Sequence, residues 1–305
     1  MTRLAHARCC DEIALQVEQL KAVVTSGADL SATVPTCPDW TLEQLVRHTG
    51  GALRWAGLLV RTRAQESVPV DQVPDGRGAA VRGDAAALGA WLADSGKLLV
   101  GALREAGPDA GVWSWAGVPD AGFWARRMTH EITVHRADAA LAAGHPYEVA
   151  GEVAADAIDE WLDIVRFVQR TAPHEAAREL RGSGSSIHLH ATDAGPELNA
   201  EWIVELTEEG VALAARAREG DGGAARTAHL GPAGVLPAAA AGRCRGGGPG
   251  GAGVARVLAG AGDVRLSGRG EPRGRLTCGG WPTRAVTYGG CSPTAWRAAG
   301  GPRAR

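Results

Sequence analysis

Apolar residues recur at helical spacing in four separate stretches before Pro146, with capping and turn residues between them and no strand signal among them. That pattern confines the first half of the chain to helices packed on one another. The first stretch, about residues 9–26, carries Ile13, Val17, Leu20 and Val24. The second begins at Thr41, where T-L-E-Q supplies an N-cap threonine and, three residues on, Gln44 to close a capping box. Its apolar stripe runs Leu45, His48, Ala52, Trp55, which puts a histidine on a core-facing position. The third covers about 84–105, with Leu88, Trp91, Leu92, Leu98, Leu99 and Leu103, and the fourth about 120–143, ending at Gly144-His145-Pro146. Four such helices predict a bundle, a fold that builds metal sites between facing helices.

The fourth stretch contains THEITVHRAD, Thr129 to Asp138. A zinc-protease helix requires two histidines four residues apart, about 40° from each other around the axis. His130 and His135 are five apart, roughly 140° around the helix, so they do not readily share an ion. Glu131 and His135, at i and i+4, do share a face, and Asp138 follows at i+7. A carboxylate and one imidazole are too few for tight zinc binding, since a catalytic zinc keeps about three protein ligands and an open position. His48, on the apolar face of the second helix, is the candidate third ligand. The same residues also have an ordinary account: a core histidine is commonly hydrogen-bonded, and Glu131 can pair with Arg127 at i−4.

After Pro146 the pattern changes. Val149 to Val168 reads as a further helix with Trp161, Leu162 and Val165 on one side, and SIHLHA within Ser185–Ala191 alternates as a strand. Trp202–Leu206 and Val211–Leu213 are further strand candidates, so a small α+β domain is expected. His188 and His190 alternate on one strand face, but no carboxylate or cysteine lies near them in sequence, and a half-buried sheet accounts for both.

From Gly210 to Arg305 the composition shifts: 24 of the 43 glycines and fourteen arginines fall here, with four acidic residues, no lysine, and no isoleucine, phenylalanine, methionine, asparagine or glutamine. Segments within it such as GRCRGGGPGGAGVARVLAGAGDVRLSGRGEPRGRL show neither a 3.6-residue nor a 2-residue period, so the tail from residue 213 is expected to be disordered rather than packed. RNA binding by the Arg/Gly stretch is disfavoured because aromatic residues are not interleaved in a repeat. Out-of-frame translation of a GC-rich gene from somewhere near residues 212–222 accounts for this composition, and the nucleotide sequence tests it. The expected division is therefore 1–147, a helical bundle; 148–212, a partial α+β domain; and 213–305, a low-complexity tail.

The 305 residues carry a formal net charge of −2, which gives no electrostatic case for a nucleic-acid partner or an anionic membrane. No signal peptide and no apolar segment of membrane-spanning length is evident, so a cytoplasmic protein is expected. The cysteines at 9, 10, 37, 244, 278 and 291 form no CxxC pair and read as free thiols. A reactive role for Cys9-Cys10 has no partner in the sequence, and Trp40, Trp55, Trp91 and Trp124 read as core.

Two segments carry a family resemblance. VPTCPDWTLEQLVRHTGG, Val34 to Gly51, and RRMTHEITVHRADAALAAG, Arg126 to Gly144, resemble the mycothiol-dependent maleylpyruvate isomerase family, whose N-terminal domain is a DinB-like four-helix metal-binding bundle. The likeness extends through WLDIVRFV and IHLHATD and covers roughly residues 8–212. It implies a divalent metal, usually zinc, held by His48, Glu131 and His135, with mycothiol as thiol cosubstrate and a small electrophile or unsaturated keto acid as substrate. It also implies an isomerase or S-transferase: a thiolate adds to a conjugated cis double bond, the resulting single bond rotates, and elimination returns the trans alkene. A non-catalytic metal-binding module of the same fold is the alternative. Asp138 and Arg136 fall in a family-like HRxD pattern, Asp138 as a candidate to orient a ligand histidine. Arg82, Arg126 and Arg127 are candidate carboxylate clamps, with solvated surface positions as the ordinary account. Two departures are visible: Asp39 stands where many relatives have glycine in the CPGW turn, and GPAGVLPAAA replaces a GPASDLLL-like helix.

Overall fold

A computed structural model describes residues 3–171, 185–191, 196–198, 200–214, 225–230 and 265–267. The chain divides into two compact units, one holding Arg3–Tyr147 and the other beginning at Glu148.

The first unit is mostly helical. Its helices are α1 (His6–Thr25), α2 (Leu42–Thr62), α3 (Ala85–Ala106) and α4 (Ala121–Ala143), and α1 and α2 each pack on both α3 and α4. Their ends follow local chemistry. Thr41 and Gln44 close the capping box at the start of α2, while the Asp84 and Asp120 side chains accept backbone N–H groups at the starts of α3 and α4. Gly144 ends α4 in a left-handed conformation, the usual stop for a helix. Ile13, Leu20, Leu45, Leu53, Leu88, Leu92, Leu99, Leu103, Trp124 and Ile132 are fully buried. Small residues allow close approach: a Cβ on Gly50 would lie 2.2 Å from the Trp91 ring, and one on Gly57 would lie 3.3 Å from the Leu99 Cα.

Four expectations need correction here. Leu98, counted in the apolar stripe of α3, is 47% exposed, because the buried arc of that helix takes Leu99 and Leu103 instead. A two-stranded antiparallel hairpin, β1 (Thr33–Val34) and β2 (Cys37–Thr41), precedes α2 where no strand was expected. Helix α3 is long and apolar enough, by length and composition, to cross a membrane; more than half of its most apolar window is buried within the helical unit. Among the cysteines, Cys9 and Cys10 are free and buried, whereas Cys37 is disulfide-bonded.

The second unit holds α5 (Gly151–Thr171) and the strands β3 (Ser185–Ala191), β4 (Glu201–Leu206), β5 (Val211–Ala214), β6 (Ala225–Leu230) and β7 (Arg265–Ser267), in the sheet order β5-β4-β3-β6-β7. All neighbours are antiparallel except β3 and β6, which run parallel. Leu162 and Val165 of α5 share a core with Leu189, Trp202, Val204 and Leu206. The Trp202 indole donates to Asp159 at 2.8 Å, and the Val211 N–H to the Gln169 side chain at 2.7 Å. Strands β6 and β7, and the end of β5, lie within the stretch expected not to pack; from residue 215 on the remainder of that stretch lies outside the described residues, as do the side chains of His188 and His190.

Candidate metal centre

Helix α4 is buried around most of its circumference, although its sequence is polar. Arg126, Arg127, Thr129, His130, Glu131, Thr133, His135, Arg136 and Asp138 are all buried. A helix of that composition is held inside only if its polar groups find partners within the fold.

One group of partners faces α2. His48 Nε2 and His135 Nε2 each lie 3.3 Å from the same oxygen, Glu131 Oε1. The ligand atoms of His48, Glu131 and His135 all lie within 4.8 Å of one another. Glu131 Oε2 turns the other way and accepts from Arg127 Nη2 at 3.4 Å. The ordinary pairing of Glu131 with Arg127 and the three-residue cluster therefore coexist, one on each carboxylate oxygen. Protein atoms bound about 2.0–2.1 Å from a tetrahedral ion stand roughly 3.3 Å apart. The two imidazole–carboxylate separations match that edge, and two nitrogens with one carboxylate oxygen are a donor set that zinc accepts, so the residues fit a divalent ion.

His135 is aimed by its other nitrogen. Its Nδ1 lies 3.0 Å from Asp138 Oδ2, and Asp138 Oδ1 accepts from the Thr36 hydroxyl at 2.6 Å. A carboxylate on Nδ1 fixes ring orientation and leaves Nε2 toward the cluster. Electrostatics couple the group tightly. Burial alone would raise the Glu131 carboxyl, but hydrogen bonds from His135 and His48 and the charges of His135 and Arg127 hold it well below the usual range. Burial opposes charge on His135 as well, yet Asp138 and Glu131 push it up to about 10. His48, whose side chain is 19% exposed against 3% for His135, is the least buried of the three. The Trp40 ring stacks edgewise on His48, with centroids 4.8 Å apart.

The other residues singled out in the sequence fall elsewhere. His130 is buried but lies outside the cluster. Arg136 sends its Nε to Gln16 Oε1 on α1 and lies 4.0 Å over the Tyr147 ring, so the partners seen for it tie α4 to α1 and to the end of the unit. Gln16 in turn bonds Glu12, which pairs with Arg8 at 2.6 Å. Arg82 is exposed, whereas Arg126 and Arg127 are buried, which corrects the solvated reading of those two. Trp91 and Trp124 are core with their indoles bonded to the Asp75 and Trp113 carbonyls; Trp55 packs against the core and bonds the Val68 carbonyl. Thr36 was missed in the sequence: it sits 102 residues from Asp138, and no spacing rule links them.

Helices packed around a buried His–Glu–His cluster define a helical domain able to hold a metal ion. Residues 10–140 match the family model described as the mycothiol maleylpyruvate isomerase N-terminal domain, so it is the helical unit that carries the likeness to that family. No curated protein and no solved structure matches the chain.

Proposed function

We infer that the helical unit is a DinB-like four-helix bundle that binds one divalent ion, zinc by preference, through His48, Glu131 and His135. The protein is read as a cytoplasmic, mycothiol-dependent isomerase or S-transferase acting on an unsaturated or otherwise electrophilic small molecule. The observation that carries this is the convergence of two imidazole nitrogens, each 3.3 Å from one carboxylate oxygen, inside a domain that matches the mycothiol maleylpyruvate isomerase family.

The ion, when bound with three protein ligands, would leave a position open for a low-molecular-weight thiol and favour its nucleophilic thiolate form. The chain's own residues do the rest. Asp138 holds the His135 ring so that Nε2 stays directed at Glu131. Arg127 balances the Glu131 charge at the oxygen that the imidazoles do not use. Trp40 limits the freedom of His48, the most exposed of the three.

The test is metal content by elemental mass spectrometry on protein purified without chelator or affinity tag. About one ion per chain is expected, lost in His48→Ala and in His135→Ala and retained in His130→Ala. Equal loss in all three would overturn the ligand assignment. Turnover of unsaturated keto acids that depends on added mycothiol is the accompanying assay; stoichiometric metal with no thiol-dependent turnover would favour the non-catalytic module.

A further inference from the structure

The turn of the β1–β2 hairpin lies outside the helices that carry the candidate ligands, yet it reaches the cluster through Asp138 of α4. Val34 pairs with Cys37, so Pro35 and Thr36 form a two-residue apex. From that apex the Thr36 hydroxyl donates to Asp138 Oδ1 at 2.6 Å, the usual length of a charge-assisted O–H to carboxylate bond, which is stronger than a neutral one. Asp138 spends its second oxygen on His135 Nδ1 at 3.0 Å. The carboxylate is thus fixed at both ends and cannot rotate without giving up one bond. Four residues past the apex, the same hairpin supplies Trp40, whose ring lies 4.8 Å from that of His48. Strand β1 packs on both α2 and α4, the helices that carry the three candidate ligands.

We propose that Thr36 is a positioning residue for the metal centre: through Asp138 it sets the orientation of His135, and the hairpin it caps holds both imidazoles in register. This rests on the metal-binding reading above and adds a residue outside the ligand helices. A bond from Thr36 to Asp138 confines the carboxylate, and a confined carboxylate confines the ring. Loss of such an outer partner typically weakens a metal site by about 10–100-fold.

The experiment measures the affinity of the full chain for Zn²⁺ and Co²⁺ by chelator competition, with the visible Co²⁺ spectrum recorded alongside. Thr36→Val keeps the shape and removes the hydroxyl; Thr36→Ser restores a donor. Valine is expected to weaken affinity by about tenfold or more and to change the Co²⁺ spectrum, and serine to recover both within about threefold. Thermal melts of the metal-free variants separate this from general loss of the hairpin, and Thr36→Ala serves in the same comparison should the valine variant not fold. Wild-type affinity and spectrum in Thr36→Val, or no recovery in Thr36→Ser, would overturn the role of Thr36 while leaving the centre standing. Failure of the wild-type chain to bind either ion would remove the centre and this proposal together.

Discussion

At the residue scale Glu131 divides its two oxygens between opposite tasks, and the carboxylates of Asp138 and Glu131 favour the protonated form of His135 at neutral pH. Its folded value of about 10 stands above the ordinary imidazole value near 6.5. In chelator-treated protein the charged ring between Glu131 and Asp138 therefore contributes stability that is fully present below about pH 6.5 and is lost as pH rises through about 10. Denaturant melts of that protein should show a decline across this window, flattened in His135→Gln. An incoming ion must displace the same proton, so apparent metal affinity should climb with pH by roughly tenfold per unit for each proton released. A flat affinity profile between pH 6 and 8 would contradict the charge assignment. Cys10 behaves oppositely in chemistry: burial pushes its thiol up, and alkylation by iodoacetamide at pH 7.5 should leave Cys9 and Cys10 unmodified in the folded protein. The juxtaposition of Glu131 with His135 was legible in the sequence because i,i+4 spacing is a property of the helix alone. Asp138 was legible as a candidate but not as the group on Nδ1, since i+3 proximity does not say which oxygen or nitrogen is used. Thr36 was not legible at all, because its bond closes over a distance that only the tertiary fold supplies.

Elements show where sequence patterns carry information and where they stop. The four helices of the first unit follow from apolar periodicity and caps, and the Thr41–Gln44 box forms as its motif predicts. Thr41→Ala removes that cap and should lower the unfolding free energy by about 1 kcal/mol, measured in urea. Gly50→Ala should cost more, about 1–3 kcal/mol, because the new methyl meets a Trp91 ring held by its own bond to the Asp75 carbonyl. Helix α4 gives only a weak amphipathic signal because several of its faces are buried and polar, so burial of Arg126 and Arg127 could not be read from periodicity. The hairpin escaped for a different reason: β1 has two residues and β2 carries Pro38, too short and too broken for an alternating pattern. Strands β6 and β7 sit in Ala-, Arg- and Gly-rich sequence, and β6 pairs in parallel with β3, a partner no local rule identifies.

On the scale of the whole molecule, each unit has its own hydrophobic core, one centred on α1–α4 and the other on α5 and its sheet. A chain ended after Tyr147 should therefore melt cooperatively and take up the same ion with wild-type stoichiometry, checked by circular dichroism and elemental analysis. Loss of metal from that shortened chain would mean that residues beyond Tyr147 complete the centre. Tyr147, the last residue of the helical unit, is fastened twice: its hydroxyl donates to the Thr133 carbonyl at 3.1 Å, and the Arg136 guanidinium lies over its ring. Such an anchored terminus works as a full stop. Both fastenings lie within the helical unit, so a junction placed after this tyrosine leaves them intact and offers a protein engineer a seam at which a different partner domain can be joined.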